Sequence, residues 1–481
     1  MYEESAFFLP VRETCHRDLI TCSTEDTVVS AAVTMRDVGI PSIIACNPNG
    51  EPVGIMTDHD LRCKVVAGGL DPRVARVKEV MTTPVIAVQE DDTLFEALYQ
   101  MSRNRIRRIG VVDADNKLVG IINETDVIRL QHRSPQTLLR SIDEAGSISE
   151  LRTIQTDTEE LIVFLSRNGV RTKDLARLIA LLNDQLSQRL IAILQQDQFP
   201  DLPAGFAFLV LGSEGRREQT LKTDQDNAII YRDRLSSEKI RQIEAFSHTL
   251  IAALIEIGVP ECPGGIMARN EFWRRSLSGW QGAIDAWVSV PSGDNIVNFS
   301  MFSDMRTLWG DTSLEQSLRE HIVKRASENG LFLARMAANV CRFVPPLGFF
   351  GGIKAQKQGE HAGMIDLKKA GIFALTEGVK TLALEIGVLG GSTREKLHLL
   401  GERGILEDKQ VNDLEAAFTL LSFFRLRGQA DAVAEGQEPG NFISPNSLNR
   451  VEKARLQTAL EVVRSFEDTL KSHFQLSLLT G

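Results

Sequence analysis

The chain has 481 residues, 43% hydrophobic and 25% charged, the balance of well-cored globular domains, and its length suggests roughly three of them. Its formal net charge of -10 disfavours non-specific binding to a polyphosphate backbone, so no nucleic-acid partner is expected. No apolar run is long enough for a spanning helix and the acidic start Met1-Tyr2-Glu3-Glu4-Ser5 has no leader pattern, which predicts a cytoplasmic protein with no membrane partner. The six cysteines (Cys15, Cys22, Cys46, Cys63, Cys262, Cys341) form no CxxC pair and read as reduced thiols. The eight histidines have no zinc-ligand spacing.

The first 130 residues contain a repeat. A shift of 66 positions lays Asp26-Thr27 on Asp92-Thr93, Met35 on Met101, Ile40 on Ile106, Gly54-Ile55 on Gly120-Ile121 and Asp60 on Asp126. Val28, Ala31, Ala32 and Met35 have helical spacing, repeated by Leu94, Ala97, Leu98 and Met101. Each helix leads to an apolar strand, Ser42–Ala45 or Ile109–Val112. A turn follows, Asn47-Pro48-Asn49-Gly50 or Asp113-Ala114-Asp115-Asn116, then a second strand, Val53–Met56 or Leu118–Ile122. A last helix starts near Asp60 or Asp126.

This order resembles a tandem pair of CBS domains over roughly residues 10–131, with boundaries at 1–75 and 76–133. The resemblance implies an adenine nucleotide as regulatory ligand and a homodimer built through the pair. Its ligand motif, Thr-x-x-Asp, falls on Thr57 and Asp60 in the first copy and on Asn123 and Asp126 in the second, where Asn replaces the usual Thr. A carboxylate there can accept from both ribose hydroxyls; the alternative is that these aspartates cap helices. Arg103, Arg105, Arg107 and Arg108 either meet phosphates or form a solvated face.

Residues 134–200 carry no strand signal. Leu151, Ile154, Leu161, Leu175, Leu182, Leu186 and Leu190 fall at helical spacing, with a break at Ser166-Arg167-Asn168-Gly169, so two or three amphipathic helices are expected. Their expected role is to connect, and no residue among them looks catalytic.

The most informative stretch comes next. An apolar strand, Phe206–Leu211, meets Gly212-Ser213-Glu214-Gly215-Arg216-Arg217-Glu218-Gln219; after ten residues intervening from Ser213 come Asp224 and Asp226, leading into Ala228-Ile229-Ile230. Gly212 lets a triphosphate approach the backbone, and Ser213 and nearby amides can donate to phosphate oxygens. Asp224 and Asp226, two apart on a strand, would face one way and could hold magnesium.

The stretch resembles the polymerase-beta-type nucleotidyltransferase signature and, in its longer form, nucleotidyltransferases related to the N-terminal part of bacterial PII uridylyltransferases. The resemblance covers a transferase domain over 201–330, a mixed sheet with helices, and a helical substrate-binding domain over 331–481. It implies Mg2+, an NTP substrate, and catalytic and metal roles for Asp224 and Asp226. A third carboxylate is expected on a later strand, for which Asp304 in Val297–Arg306 is the match. Arg216 and Arg217 either touch the triphosphate or pair with Glu214 and Glu218. Gln225 and Asn227 stand where apolar residues are usual in the general signature. Cys262, in Cys262-Pro263-Gly264-Gly265, has no evident His partner and reads as structural. In the C-terminal third, Asp366-Leu367-Lys368 and Arg425–Gln429 are polar groups within apolar helices; Arg425 either contacts substrate or makes a salt bridge.

The expected fold is therefore multidomain, α/β plus all-α. The expected function is nucleotide-regulated transfer of a nucleoside monophosphate from an NTP to an acceptor hydroxyl, on a protein such as a PII-like regulator. A small-molecule acceptor and a non-catalytic adenine-nucleotide sensor are the alternatives.

Overall fold

The computed structural model describes residues 10–13, 15, 19–104, 106–123, 135–167, 169–348 and 352–480. Arg105, Glu124, Thr125, Asp126 and Asn168, and the side chain of Leu98, lie outside the described residues. The chain divides into two compact units, Met1–Ser134 and Pro135–Gly481.

In the first unit the repeat is visible as structure. Strands β1 (Thr21–Ser23), β2 (Ser42–Cys46) and β3 (Pro52–Thr57) form a three-stranded sheet with helix α1 (Val28–Val38) between β1 and β2. Strands β4 (Ala87–Gln89), β5 (Arg108–Val112) and β6 (Leu118–Asn123) repeat the order with helix α2 (Leu94–Asn104). In both sheets the first pairing is parallel and the second antiparallel. The repeated Asp-Thr pair has a mechanical reason. Asp26 accepts from the Ser23 amide and Asp92 from the Gln89 amide, each at 2.8 Å, closing the turn out of the first strand. Thr27 and Thr93 then cap the helix by accepting from Ser30 and Glu96. The hairpin turns match as well. Asn47 and Asp113 each accept the amide two residues on, and Gly50 and Asn116 take the positive φ that closes the loop.

The second unit is built on a four-stranded mixed sheet in the order β10-β7-β8-β9: β7 (Phe206–Val210), β8 (Asn227–Tyr231), β9 (Arg274–Ser276) and β10 (Arg306–Gly310). Strand β7 is apolar throughout because both its faces are covered. Phe206, Phe208 and Val210 share one core with helices α3 (Pro135–Glu144), α4 (Ile148–Arg167), α5 (Thr172–Asp197) and α6 (Ser237–Ile257). Ala207, Leu209 and Leu211 share another with α7 (Leu277–Ser289), α8 (Gly293–Ser303), α9 (Thr312–Ala326) and α10 (Gly330–Val340). The helices of 134–200 thus form one layer of the core on this sheet rather than a connector. Leu151, Leu182 and Leu190 are each at most 1% exposed, packed with Phe206 and Phe208.

The remaining helices, α11 (Phe373–Glu385), α12 (Thr393–Glu402), α13 (Asp408–Ala434) and α14 (Arg450–His473), enclose a third core that includes Leu375, Leu421 and Val463. Glu467 on α14 is 1% exposed, and its Oε1 has no hydrogen-bond partner among the described residues. Burial pushes its carboxyl up to about 7 from an ordinary 4.5. The folded state holds this proton more tightly than the unfolded chain, so the group weakens the fold as pH rises from 4.5 through 7. Glu467→Gln is accordingly expected to raise the melting temperature of the intact chain by about 2–4 °C at pH 8.5 and to change it little at pH 5. An equal shift at both pH values would contradict the assignment.

Candidate functional site

Strand β7 is followed by Leu211, whose amide donates to the Asp226 carbonyl at 2.8 Å. Gly212 then turns the chain at φ 53°, opening a single helical turn, Gly212–Gly215. Glycine is required at both ends of this turn. A Cβ on Gly212 would lie 2.9 Å from the Met301 Cε and 3.2 Å from Asp226 Oδ2, and one on Gly215 would overlap the Asp304 carbonyl. The turn therefore lies directly against the Asp226 carboxylate. Arg217, which follows, is held at φ 56°, a conformation uncommon outside glycine.

Asp224 and Asp226 sit just before β8 rather than within it, in an extended run that keeps the alternation of a strand. Both line the cleft described below, whereas Gln225 and Asn227 point the other way and are each 2% exposed. The two buried amides form a ladder behind the carboxylates. Asn227 Nδ2 donates to Gln225 Oε1 at 3.2 Å, Gln225 Nε2 donates to the Val259 carbonyl at 3.4 Å, and Asn227 Oδ1 accepts the Ala268 amide at 2.7 Å. Apolar residues could not tie down the loop 259–268, and that loop lays the Cys262 thiol against Asp226. Burial and the Asp226 charge push Cys262 up to about 11, so it stays a neutral thiol, as a structural role requires. The Asp226 carboxyl is itself raised, chiefly by burial and further by Asp224, with Cys262 and Lys368 opposing.

Asp304 does not join this pair. The stretch expected as a strand is helix α8, and Asp304 is the C-cap that follows it, 4% exposed. Its carboxylate pairs with Arg216, with Lys380 at 2.6 Å and, at 3.8 Å, with Lys396. Against the upward push of burial, these cations hold it down at about 2. A buried chain of charges continues from there. Lys380 donates to Glu377 Oε1 at 2.9 Å and to the Ser300 carbonyl at 2.9 Å, and Arg216 reaches Glu218 at 2.9 Å. Glu218 in turn accepts the Thr393 amide at the start of α12. Arg216 is thus consumed by ion pairs with Asp304 and Glu218, whereas the Arg217 side chain is 63% exposed, 3.9 Å from Asp184. Among the described residues no three His, Cys, Asp or Glu side chains converge on a metal-sized space.

The sheet and the C-terminal helices enclose a cleft of about 1110 Å3. Its wall carries Gly212, Ser213, Arg216, Arg217, Asp224 and Asp226. Ten Lys or Arg line it against six Asp or Glu, a reversal of the chain's acidic balance. Opposite the carboxylates, Lys368 and Arg425 come from the helical domain. Burial lowers both, Arg425 to about 10, opposed at Lys368 by the charges of Asp226 and Asp224 and at Arg425 by those of Asp366 and Asp224. Helix α5 contributes Lys173, Arg177 and Asp184 to the cleft, residues that gave no sign of a role in the sequence. Lys380 and Lys396 were missed too, although Glu377 and Lys380, three apart in an apolar helix, were a legible signal.

In the first unit, Asp60 is 3% exposed and its carboxylate is fully engaged. Oδ2 accepts from the Thr57 amide and hydroxyl, and Oδ1 accepts from Thr82 at 3.0 Å and pairs with Lys64 at 2.8 Å. Despite burial, the hydrogen bonds from Lys64, Thr57 and Thr82 hold its carboxyl below the ordinary value. Asn123 ends β6 beside Arg108, and Arg108 bridges the two repeats by donating to Ser42 at 2.6 Å. Asp60→Ala would strip four donor groups, on Thr57, Lys64 and Thr82, of their acceptor. It is expected to destabilise this unit by about 1–3 kcal/mol, read as an earlier unfolding transition; an unchanged transition would contradict these bonds.

Comparison with known proteins adds the following. Residues 156–294 match the family model "Putative nucleotidyltransferase DUF294" and residues 330–474 match "Putative nucleotidyltransferase substrate binding domain". Residues 11–66 and 77–133 match "CBS domain". An uncharacterized protein of Methanopyrus kandleri, MK0525, is 40% identical over 121 residues, 25% of this chain and 62% of that protein, so the chain spans less than two thirds of its length. Hypoxic response protein 1 of Mycobacterium tuberculosis is 32% identical over 111 residues, 23% of this chain and 77% of that protein. Among solved structures, the CBS domain pair of protein MJ0100 in complex with 5'-methylthioadenosine and S-adenosyl-L-methionine is 26% identical. It covers 26% of this chain and 96% of that one, at a TM-score of 0.24. Among the described residues no helix is long and apolar enough to cross a membrane.

Proposed function

The chain belongs to the CBS-domain-containing nucleotidyltransferases of the DUF294 family, and we propose that it transfers a nucleoside monophosphate from an NTP to an acceptor hydroxyl. The observation that carries this reading is the pair Asp224 and Asp226 in a cleft that is cationic within an acidic chain. A triphosphate and a dication would complement both halves of that wall.

Asp224 and Asp226 are the residues that would hold magnesium. The fit rests on the close approach of Asp226 to the Gly212 turn and on the mutual repulsion of the two carboxylates, which a dication relieves. Bound there, magnesium would activate the attacking oxygen and neutralise the leaving group. Ser213 and the amides of the turn take phosphate oxygens, Arg217 neutralises them from beside the turn, and Lys368 and Arg425 do so from the opposite wall. The acceptor oxygen then attacks the α-phosphorus as its proton leaves to water; the bond to the bridging α–β oxygen breaks and pyrophosphate departs. Arg216 and Asp304 act behind the wall, holding the turn against the helical domain.

The first acceptor to try is a small PII-like regulator, by analogy with PII uridylyltransferases. The CBS pair is proposed to bind an adenine nucleotide as regulator and to pair two copies of the chain. For a ribose to reach Asp60, Lys64 or Thr82 must give way, which makes the first half-site self-occupied when empty.

The test is pyrophosphate release from each of the four NTPs, with Mg2+ and a candidate acceptor fraction. Release that depends on acceptor and Mg2+ is expected for at least one NTP. Binding of NTP without release under any acceptor would instead fit a non-catalytic nucleotide sensor.

A further inference from the structure

The cations of the cleft are not all engaged with the triphosphate or with one another. Arg216, Arg306, Arg319 and Arg394 are tied by ion pairs to Glu218, Asp184, Glu315 and Glu415. Arg217, Lys368 and Arg425 face the phosphates in the proposed reaction, and Lys222 acts on Glu159. Lys173 and Arg177 are left over. Both are exposed, both line the cleft, and neither forms a salt bridge among the described residues.

Three helices set their place. On α5, Lys173, Arg177, Ala180 and Asp184 recur at helical spacing, on the face that lines the cleft. Asp184 marks the nucleotide end of that face, because it pairs with Arg306 at 2.8 Å and lies 3.9 Å from Arg217, beside the Gly212 turn. Arg177 and Lys173 precede it by about 10 and about 16 Å along the helix axis. Helix α13 shows a similar separation on the other wall. Its Arg425 interacts with Asp224, whereas its Thr419, about 9 Å away along the axis, accepts from Arg394 of α12 at 2.8 Å. Arg177 in turn interacts with Glu395, the next residue of α12. Helices α5, α12 and α13 thus meet around a second end of the cleft, to which Ser392 and His398 add further polar groups. At about 1110 Å3 the cleft exceeds the range of about 300–1,000 Å3 that one small ligand occupies, so it has room for a second molecule beside an NTP.

We propose that this second end receives the acceptor, and that the acceptor is a small molecule carrying a phosphate group, held by Lys173 and Arg177. Two cations one turn apart suit a phosphate, which is close to a dianion at pH 7, and the guanidinium offers it paired donors. The inference rests on the transferase reading of the cleft and adds the class of acceptor. It sets a small phosphorylated acceptor beside the protein acceptor that analogy suggests.

The experiment is calorimetry on the full chain with Mg2+, its NTP site saturated with the best-binding of four α,β-methylene NTP analogues, which cannot release pyrophosphate. Inorganic phosphate is then titrated as the probe, with acetate as a monoanionic control. Phosphate is expected to bind the saturated chain, and acetate more weakly. Lys173→Met and Arg177→Met should each weaken phosphate at least about tenfold, the loss of one charged hydrogen bond, while affinity for the analogue stays within about twofold. Phosphate that displaces the analogue, or analogue affinity that falls as far as phosphate affinity in either variant, would assign the two cations to the triphosphate and overturn the inference. No phosphate binding to the saturated chain, acetate binding as tightly as phosphate, or phosphate binding unchanged in both variants would overturn it too. All of these leave the transferase reading intact. If no analogue binds, the reading of the cleft itself fails.

Discussion

Asp224→Asn and Asp226→Asn are each expected to reduce nucleotidyl transfer at least about 100-fold, roughly 2.7 kcal/mol of barrier, without lowering the melting temperature. The second half of that expectation comes from the geometry. Asp226 is held against the Gly212 turn, and its carboxyl is raised by burial and by Asp224. Two carboxylates in this position oppose one another in the folded chain, so a neutral isostere relieves strain while removing the charge that a dication needs. Melting should stay equal or rise, and the stabilisation that Mg2+ gives the wild type should be lost. Near-normal transfer by the double variant, or a large loss of stability in either single one, would contradict this account.

Lys380→Met is expected to be the most destabilising single change in the site, by about 3–5 kcal/mol, because it removes one partner of a buried ionic network. Lys380 is 2% exposed and donates to Ser300 and Glu377 while pairing with Asp304. Without it Asp304 keeps Arg216 at hand, but Glu377 loses the Lys380 ammonium that it pairs with at 2.9 Å. The depressed Asp304 carboxyl sets the acid limit. The folded state favours its charged form, so its contribution is present above the ordinary 3.8 and is lost as pH falls through about 2. Chemical denaturation at pH 7 measures the loss. A change below about 1 kcal/mol would mean that the network holds less than its geometry indicates.

The parts of the molecule that were legible in the sequence are those encoded locally. The repeat, its Asp-Thr turns and caps and its hairpins follow from backbone hydrogen bonding within a few residues, and so do Gly212 and the alternation of Asp224 with Gln225. The helices of 134–200 were legible as helices, but what they pack against was not, because an amphipathic stripe does not name its partner. Asp304 was misplaced for a related reason. Val297–Phe302 is apolar enough for a buried strand or a buried helix, and only the tertiary structure distinguishes them. Its partners Lys380 and Lys396 lie more than seventy residues downstream, so a carboxylate that reads as a metal ligand in the sequence is surrounded by cations in the fold. Lys368 and Arg425 stood out as polar breaks in apolar helices, and both line the cleft.

The most direct measurement follows the phosphates themselves. The intact chain is incubated with Mg2+, an extract supplying acceptors, and each NTP labelled in turn at the α- or the γ-phosphate. For at least one NTP the α-label is expected to move to an acceptor and the γ-label to leave as pyrophosphate, with Asp224→Asn and Asp226→Asn each reducing both at least about 100-fold. If γ-label is transferred instead, or if no α-label leaves any NTP that the cleft binds, the chain is not a nucleotidyltransferase of this mechanism.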